Sequence, residues 1–297
     1  MKGSSIILAT DLSETAKAAA RWTHRFARDR GASVIVSHVI RISVGNWVKG
    51  EYDVLDDADL MEKAEARVAD WYEDATGGAP DEVEVLVGHA SVQLADTVDD
   101  HEAEMLVLSV SGKGSWEKLL LGSTARNLAN DPPCPMVLVE PDHTELQEPP
   151  RIGVGLDFSD NSVRAASYAT DLAKTIGAEL HFIHVDTEPT IDAIDDEDLP
   201  GEFSHQKMFD WADEEMSKVI SGLGERLEGV DYETHCIQDK PAKGLVEFAR
   251  NEDLDLLVVG RSGHSKFTAT IMGSVLLKVL QAVPATTIIV PHGYTTP

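Results

Sequence analysis

The sequence predicts an α/β protein made of two repeated, doubly wound domains, each with a five-stranded parallel sheet flanked by helices. Short runs of branched apolar residues alternate with amphipathic segments, as in sheets with helical crossovers. Markers of the first half also recur in the second: Asp11 and Asp157 lie 146 residues apart, and so do His38 and His184. A chain of 297 residues is long enough for two such domains.

The repeat predicts the domain boundaries. Residues 1–144 form the first domain and residues 151–297 the second. Residues 145–150 contain Pro149 and Pro150 and no apolar periodicity, which is typical of a linker. Each domain is then of a size that one hydrophobic core can stabilise.

The first domain is predicted to contain five strands and four helices. Its first helix follows Ser13, whose hydroxyl can cap it, and ends before Gly31. An irregular connection at 45–56 precedes the second helix. The strands are predicted at residues 6–9, 34–40, 83–87, 105–110 and 136–139, and the later helices near residues 60–72, 92–101 and 123–130.

The second domain is predicted to repeat this order. Ser159 or Asp160 caps its first helix, and Gly177 ends it. The strands are predicted at residues 152–156, 179–185, 232–237, 254–259 and 286–290, and the helices near residues 160–176, 204–227, 242–251 and 274–282.

A glycine pattern follows the fourth strand of the second domain. Gly260-Arg261-Ser262-Gly263 ends this buried strand, and nine residues later Gly273-Ser274 opens a helix. Glycine lets a ligand approach the main-chain N–H groups. The N-terminus of a helix carries unpaired N–H groups and a partial positive charge, which suit a phosphate. The pattern therefore indicates a phosphate-binding loop, whereas its glycines alone would also fit a plain turn.

The spacing G-x2-G-x9-G-S resembles the nucleotide-binding signature of the universal stress protein family, and the resemblance covers nearly all of both domains. It implies the sheet order 3-2-1-4-5, with the ligand at the switch point between strands 1 and 4. The implied ligand is ATP or another adenine nucleotide, with Mg²⁺ on its phosphates. Asp157 would contact the ribose or the phosphate-bound Mg²⁺, Val185 the adenine, and Gly273-Ser274 the terminal phosphate. The implied site comprises Gly155, Leu156, Asp157, Val185, Val259, Gly260, Arg261, Ser262, Gly263, His264, Gly273, Ser274 and Val275.

The first domain carries an altered form of this signature. Ser109 stands where the family has its first glycine, so a Cβ lies where backbone contacts to the nucleotide are expected. The domain either holds a weaker second site or is a copy kept for packing. Many members also have a hydroxyl residue where this chain has Leu276 and Ala125. The weaker site would comprise Asp11, Val39, Ser109, Gly112, Gly122 and Ser123.

The resemblance implies a stress-response regulator with at most slow ATP hydrolysis and no dedicated catalytic residue. The sequence has no P-loop, no CxxC and no His-Glu-x-x-His. Only Arg261, Lys266 and Lys278 are cations near the loop. One alternative is an interaction module that does not bind nucleotide. Another is an adenylyl-transferring enzyme, although neither first strand is followed by a Ser-Gly-Gly-x-Asp-Ser loop.

The charge limits the classes of partner. Asp and Glu number 52 against 25 Lys and Arg, a formal net charge of −27. Nucleic acids and anionic membranes are therefore disfavoured, and an unidentified protein partner is expected instead. The charge fits either a strongly solvated surface or adaptation to high salt. Cys134 and Cys236 lack metal-ligand spacing and are interpreted as core residues, and with no signal peptide the predicted location is cytoplasmic.

Family members commonly pair through their last strands. We therefore expect residues 136–139 and 286–290 to pair within the chain, giving an intramolecular pseudo-dimer that can pair again into a homodimer. His38 and His184 lie inside apolar strands and are interpreted as hydrogen-bonded core residues rather than ligands.

Overall fold

The computed structural model describes residues 4–41, 58–110, 121–141, 145–187, 205–263 and 272–295. For residues 205–209 it describes only the backbone. Within these ranges no helix combines the length and the apolar character needed to cross a membrane. The chain forms two compact units. The first comprises Met1–Glu145 and Thr286–Pro291, and the second Leu146–Ala285 and His292–Pro297.

The first unit has a mainly parallel sheet. Its elements are β1 (Ser5–Thr10), α1 (Ala16–Arg30), β2 (Ser33–Ile40), α2 (Ala58–Thr76), β3 (Glu82–Val87), α3 (Ala90–His101), β4 (Met105–Ser109), α4 (Ser123–Asn130) and β5 (Met136–Val139). The strand order β3-β2-β1-β4-β5 confirms the predicted order. All residues of β1 and β5 are buried, as expected for strands covered by helices on both faces.

The second unit repeats the first four strands of this arrangement in the order β8-β7-β6-β9. Ser159 is the N-cap of its first helix and accepts a hydrogen bond from Ser162 N, so the first of the two predicted caps is present. The predicted long helix ends at Leu223 and continues as a 3₁₀ turn over Gly224–Leu227. The elements are β6 (Arg151–Leu156), α5 (Asp160–Ile176), β7 (Glu179–Asp186), α6 (His205–Leu223), β8 (Tyr232–Gln238), α7 (Pro241–Asn251), β9 (Leu256–Gly260) and α8 (Ser274–Ala282).

The last strand, β10 (Thr286–Val290), belongs to the first unit. It runs antiparallel to β5, with Thr287 opposite Leu138 and Ile289 opposite Met136. The hydroxyl of Thr286 accepts a hydrogen bond from the Glu140 N–H at 3.1 Å. The predicted pairing of the two last strands is therefore present, and it covers the edge of β5.

The predicted linker is hydrogen-bonded to the second unit. The carboxylate of Asp255 accepts bonds from the Gln147 N–H at 2.9 Å and from the Arg151 N–H at 2.7 Å. The Gln147 side-chain amide donates to the carbonyl of Asp253 at 2.6 Å. These bonds thus fix Gln147 of the predicted linker and Arg151, the first residue of the strand that follows it.

The predicted core histidines make the same contact in both units. His38 donates through Nδ1 to the Thr10 carbonyl at 2.8 Å, and His184 donates to the Leu156 carbonyl at the same distance. Both bonds join the end of the first strand to the second strand, as expected for hydrogen-bonded residues inside strands, and of the two side chains His184 is buried and His38 is partly exposed.

The cysteines differ from each other. Cys134 is buried, as expected, and burial raises the pKa of its thiol to about 12. For Cys236 the core interpretation is wrong: it is half-buried, and its thiol donates to Asp213 Oδ1 at 3.4 Å. The reason is its place on β8, the last strand of its sheet, where neighbours cover fewer side chains.

Candidate functional site

A cavity of about 320 Å³ lies at the carboxyl ends of β6, β7 and β9 in the second unit. It brings together both halves of the glycine pattern. Every residue predicted for the second-domain site lines it except His264, which lies outside the described residues. The lining residues that were not predicted are Ser162, Ile183, Pro241, Leu245 and Leu276.

The helix α8 points its N-terminus at this cavity. Its N-cap is Gly273, with φ −59° and ψ 144°, and this residue has no side chain that could cap the first turn. Ser274, Val275 and Leu276 of that turn line the cavity. The N–H of Gly273 donates to the Arg261 carbonyl at 3.4 Å, which joins the two halves of the pattern. The helix therefore presents uncapped N–H groups where an anion can bind.

Asp157 sits on a sharp turn at the end of β6. Its Oδ1 accepts hydrogen bonds from the Ser159 N–H at 3.0 Å and from the Ser159 hydroxyl at 2.6 Å. Between them Phe158 adopts a left-handed φ of 62°. Leu12 in the first unit has φ 59° and follows Asp11 in the same way. Such strained backbone is typical of functional sites, and here it fixes the carboxylate at the cavity.

Gly263 packs directly against this carboxylate. A Cβ built on Gly263 would overlap the Asp157 Oδ2 atom. The φ of Gly263 lies outside the left-handed region. A larger residue here would therefore have to displace the Asp157 carboxylate, and a positive φ, which the sequence reasoning allowed, is not the reason for the glycine.

Gly260 has a different structural reason. A Cβ at this position would lie 2.9 Å from the backbone carbon and oxygen of Asn161 in the first turn of α5. In the first unit the corresponding residue is Ser109, and the corresponding helix begins at Ala16, two positions later in the repeat. Gly260 thus allows α5 to start close to the end of β9.

Asn161 connects the loop to the helix and was missed from the sequence. Its amide nitrogen donates to the Ser262 carbonyl at 3.0 Å and to the Ser262 hydroxyl at 2.9 Å. Its Oδ1 accepts a bond from His292 Nδ1 at 2.8 Å. The available signal was an amide side chain four residues after Asp157, in the first turn of a helix.

The other end of the cavity is apolar. Ile183 and Val185 of β7 and Pro241 and Leu245 of α7 line it. A Cβ at Gly155 would lie 3.3 Å from Leu245 Cδ1, so this glycine lets α7 come close to the sheet. Pro241 and Leu245 are four residues apart and share one face of α7. This i, i+4 spacing of apolar residues is visible in the sequence and could have indicated that they line one surface.

The described residues of the weaker site lie at the corresponding edge of the first unit. Asp11 follows β1 and Ser109 ends β4, and these strands are parallel neighbours. Gly122 is the N-cap of α4, with φ −58° and ψ 154°, as Gly273 is of α8. Arg41, also missed, donates to the hydroxyls of Ser123 at 3.4 Å and Thr124 at 3.0 Å. The two remaining predicted residues are Val39, on β2, and Gly112, which lies outside the described residues.

The sequence and the fold are similar to those of known proteins. The sequence profile of the universal stress protein family matches residues 4–140 and 149–291. A universal stress protein of Mycolicibacterium smegmatis is 30% identical over 292 residues, covering 93% of each chain. Universal stress protein Rv2005c of Mycobacterium tuberculosis is 28% identical over 289 residues, covering 95% of each.

Among solved structures, a universal stress protein from Archaeoglobus fulgidus has the same fold. It superposes with a TM-score of 0.68 at 22% identity, covering 99% of this chain and 100% of its own. The match extends over both repeats. The chain belongs to the universal stress protein family.

Proposed function

We propose that the cavity of the second unit binds ATP or a related adenine nucleotide, and that the chain acts in the cytoplasm as a stress-response regulator. The observation that carries this proposal is the polarity of one cavity of about 320 Å³. One end is lined by branched apolar side chains, and the other by glycines and an uncapped helix N-terminus. Small-molecule sites of roughly 300 Å³ or more commonly combine such features.

The polarity sets the orientation of the nucleotide. The flat, apolar adenine would lie against Val185 and Leu245. The phosphates would bind the backbone of residues 260–263 and the first turn of α8, where the helix dipole favours negative charge. Leu276, which is 3% exposed, offers no hydroxyl at this end, so backbone N–H groups would hold the terminal phosphate.

The residues present fit a phosphate-bound Mg²⁺. Asp157 Oδ2 accepts no hydrogen bond from the described residues, whereas Oδ1 is held by Ser159. One carboxylate together with phosphate oxygens is a common Mg²⁺ environment, and the ion would neutralise phosphate charge. Of the cations near the loop that the structure describes, Arg261 is buried and Lys278 is exposed on α8. We therefore propose at most slow hydrolysis, because phosphoryl transfer needs positioned cations.

The experiment is calorimetric titration of the full chain with ATP, together with mass spectrometry of any ligand released from the purified protein. Leu245→Ala removes apolar contact with adenine and should weaken ATP binding at least about tenfold, the effect of losing even one methylene group from an apolar pocket. Leu94→Ala truncates the corresponding buried residue of α3 in the first unit and serves as the matched control. Equal ATP affinities in the two folded variants would contradict the proposed orientation.

The first alternative, an interaction module without a nucleotide, is favoured by Leu276, which lines the phosphate end of the cavity. Folded wild-type protein that neither binds ATP nor releases a nucleotide would make this alternative the better one. The second alternative, adenylyl transfer, predicts that pyrophosphate forms from ATP. An assay for pyrophosphate separates it from both other functions.

A further inference from the structure

We propose that His181, Glu233 and His235 form a binding site for a divalent transition-metal ion, with zinc as the best match. The three side chains lie together in the second unit, outside the cavity described above, and the inference does not depend on nucleotide binding. His181 is on β7, and the other two residues are on β8.

The strand register brings these groups together. His181 is directly opposite Glu233 in the parallel ladder. His235 lies two residues after Glu233, so its side chain points to the same face of the sheet. Phe248 of α7 packs over both imidazoles, with ring centroids 4.6 Å from His235 and 6.0 Å from His181. An apolar ring thus closes one side of the cluster.

The distances match one shared ion. His181 Nδ1 is 3.1 Å from His235 Nε2, and Glu233 Oε2 is 3.6 Å from His235 Nε2 and 3.9 Å from His181 Nδ1. The point that is equidistant from the three atoms and lies in their plane is about 2.1 Å from each of them, within the typical Zn–N and Zn–O bond lengths of roughly 2.0–2.2 Å. Two imidazoles and one carboxylate are also a ligand set that zinc commonly uses.

The bonding of His181 leaves its Nδ1 able to bind an ion. This side chain is buried, with its residue only 4% exposed. Its Nε2 has no hydrogen-bond partner among the described residues. Its Nδ1 has only His235 Nε2 within hydrogen-bond distance there, and two imidazole nitrogens can share only one proton. An ion between His181 Nδ1 and His235 Nε2 would bind both nitrogens in place of this shared proton, whereas His181 Nε2 is not a ligand atom of the site.

The surroundings suit a cation with one exchangeable position. The Glu233 side chain is 59% exposed, so the solvent side of the cluster stays open for a water ligand. The carboxylate of Glu252 adds negative charge near His235.

The repeat provides an internal comparison. Glu82 and Glu84 of β3 occupy the same ladder positions as Glu233 and His235, and His101 completes a second cluster there. That cluster contains one imidazole and two carboxylates. His101 Nε2 is already hydrogen-bonded to Glu84 Oε1 at 2.7 Å. Zinc prefers imidazole to a second carboxylate, so the cluster of the second unit should bind it more tightly.

The test is calorimetric titration of the chelator-treated full chain with ZnCl₂, in concentrated NaCl to screen the acidic surface. We expect one tight zinc site per chain. His235→Gln and Glu233→Gln should each weaken it by at least about tenfold, because even outer-shell changes cost that much. His89→Gln alters an exposed histidine, and Glu84→Gln alters the counterpart of His235, so both should retain the tight site.

A second measurement guards against a folding defect. Zinc should raise the melting temperature of the wild type and of both control variants, but not that of His235→Gln. If His235→Gln binds zinc as tightly as the wild type, or if no stoichiometric site appears, the three residues form only a hydrogen-bonded group and the proposal is wrong.

Discussion

The carboxylate of Asp157 occupies the space that a side chain on Gly263 would need. The overlap involves Oδ2, while Oδ1 is fixed by two hydrogen bonds from Ser159. The strand-end carboxylate and the last glycine of the loop are therefore complementary in shape. A larger residue at position 263 would have to displace the Asp157 carboxylate.

This relationship predicts non-additive effects of mutation. Gly263→Ala should destabilise the second unit by about 1–3 kcal/mol, as overpacking does, and should impair ATP binding. Asp157→Ala should weaken ATP binding by about 1–3 kcal/mol through loss of a charged contact. In the double variant the penalty of Gly263→Ala should fall by about 0.5–3 kcal/mol, because the overlapping oxygen is gone. Denaturant unfolding and calorimetry of the four proteins measure this coupling, and strictly additive penalties would refute it.

Asn161 should act as a positioning residue for the phosphate loop. Asn161→Ala removes both bonds to Ser262 and the bond to His292. We expect ATP affinity to fall about tenfold, the effect of roughly one lost hydrogen bond. Thr15→Ala changes the corresponding position of the first repeat and is the control. Unaltered ATP affinity in folded Asn161→Ala protein would mean that the loop holds its shape without this side chain.

The second repeat should bind nucleotide more tightly than the first. Ser109 has a Cβ at the position where the second unit has Gly260. A Cβ added to Gly260 would lie 2.9 Å from the backbone of Asn161. Because β10 belongs to the first unit, the test uses the full chain rather than separated halves. Calorimetry should show one tight ATP site, and Gly263→Val should abolish it. Two equal sites, or a tight site that persists in Gly263→Val, would contradict this asymmetry.

The pairing of β5 with β10 should depend on an unbroken ladder. Proline cannot donate a hydrogen bond and is tolerated only at the edges of sheets. Ile289→Pro should therefore detach β10 and increase hydrogen exchange in Met136–Val139, whereas Ile289→Val should not. Wild-type protection of β5 in the proline variant would show that β10 does not stabilise it. The same edge pairing underlies our proposal of an intramolecular pseudo-dimer.

The acidic surface should make stability depend on salt. A net charge of −27 creates self-repulsion that ions screen. If the charge reflects adaptation to high salt, the melting temperature should keep rising above about 0.15 M salt, where the Debye length is already about 8 Å. Thermal unfolding in dilute buffer and at molar NaCl checks this. A melting temperature that does not change between the two would exclude the adaptation.

Local sequence patterns predicted the elements well because strands, caps and glycines act over a few residues. The Ser159 cap and the alternation of strands and helices follow from such short-range rules. The glycine pattern likewise predicted the loop and the helix α8, whose described residues line the cavity. The exposure of Cys236 was predicted wrongly, because it depends on the position of β8 in the sheet.

The sequence by itself determined the repeat, the family resemblance and two short segments that line the cavity, residues 260–263 and 273–274. Each of these can be recognised from neighbouring residues in the chain. Only the tertiary structure decided why Gly263 and Gly260 must be small, because the atoms that exclude a Cβ belong to Asp157 and Asn161, about a hundred residues away in the chain. It alone also brought His181 beside Glu233 and His235. These contacts depend on strand register and on packing between distant segments, and neither can be deduced from the spacing of neighbouring residues.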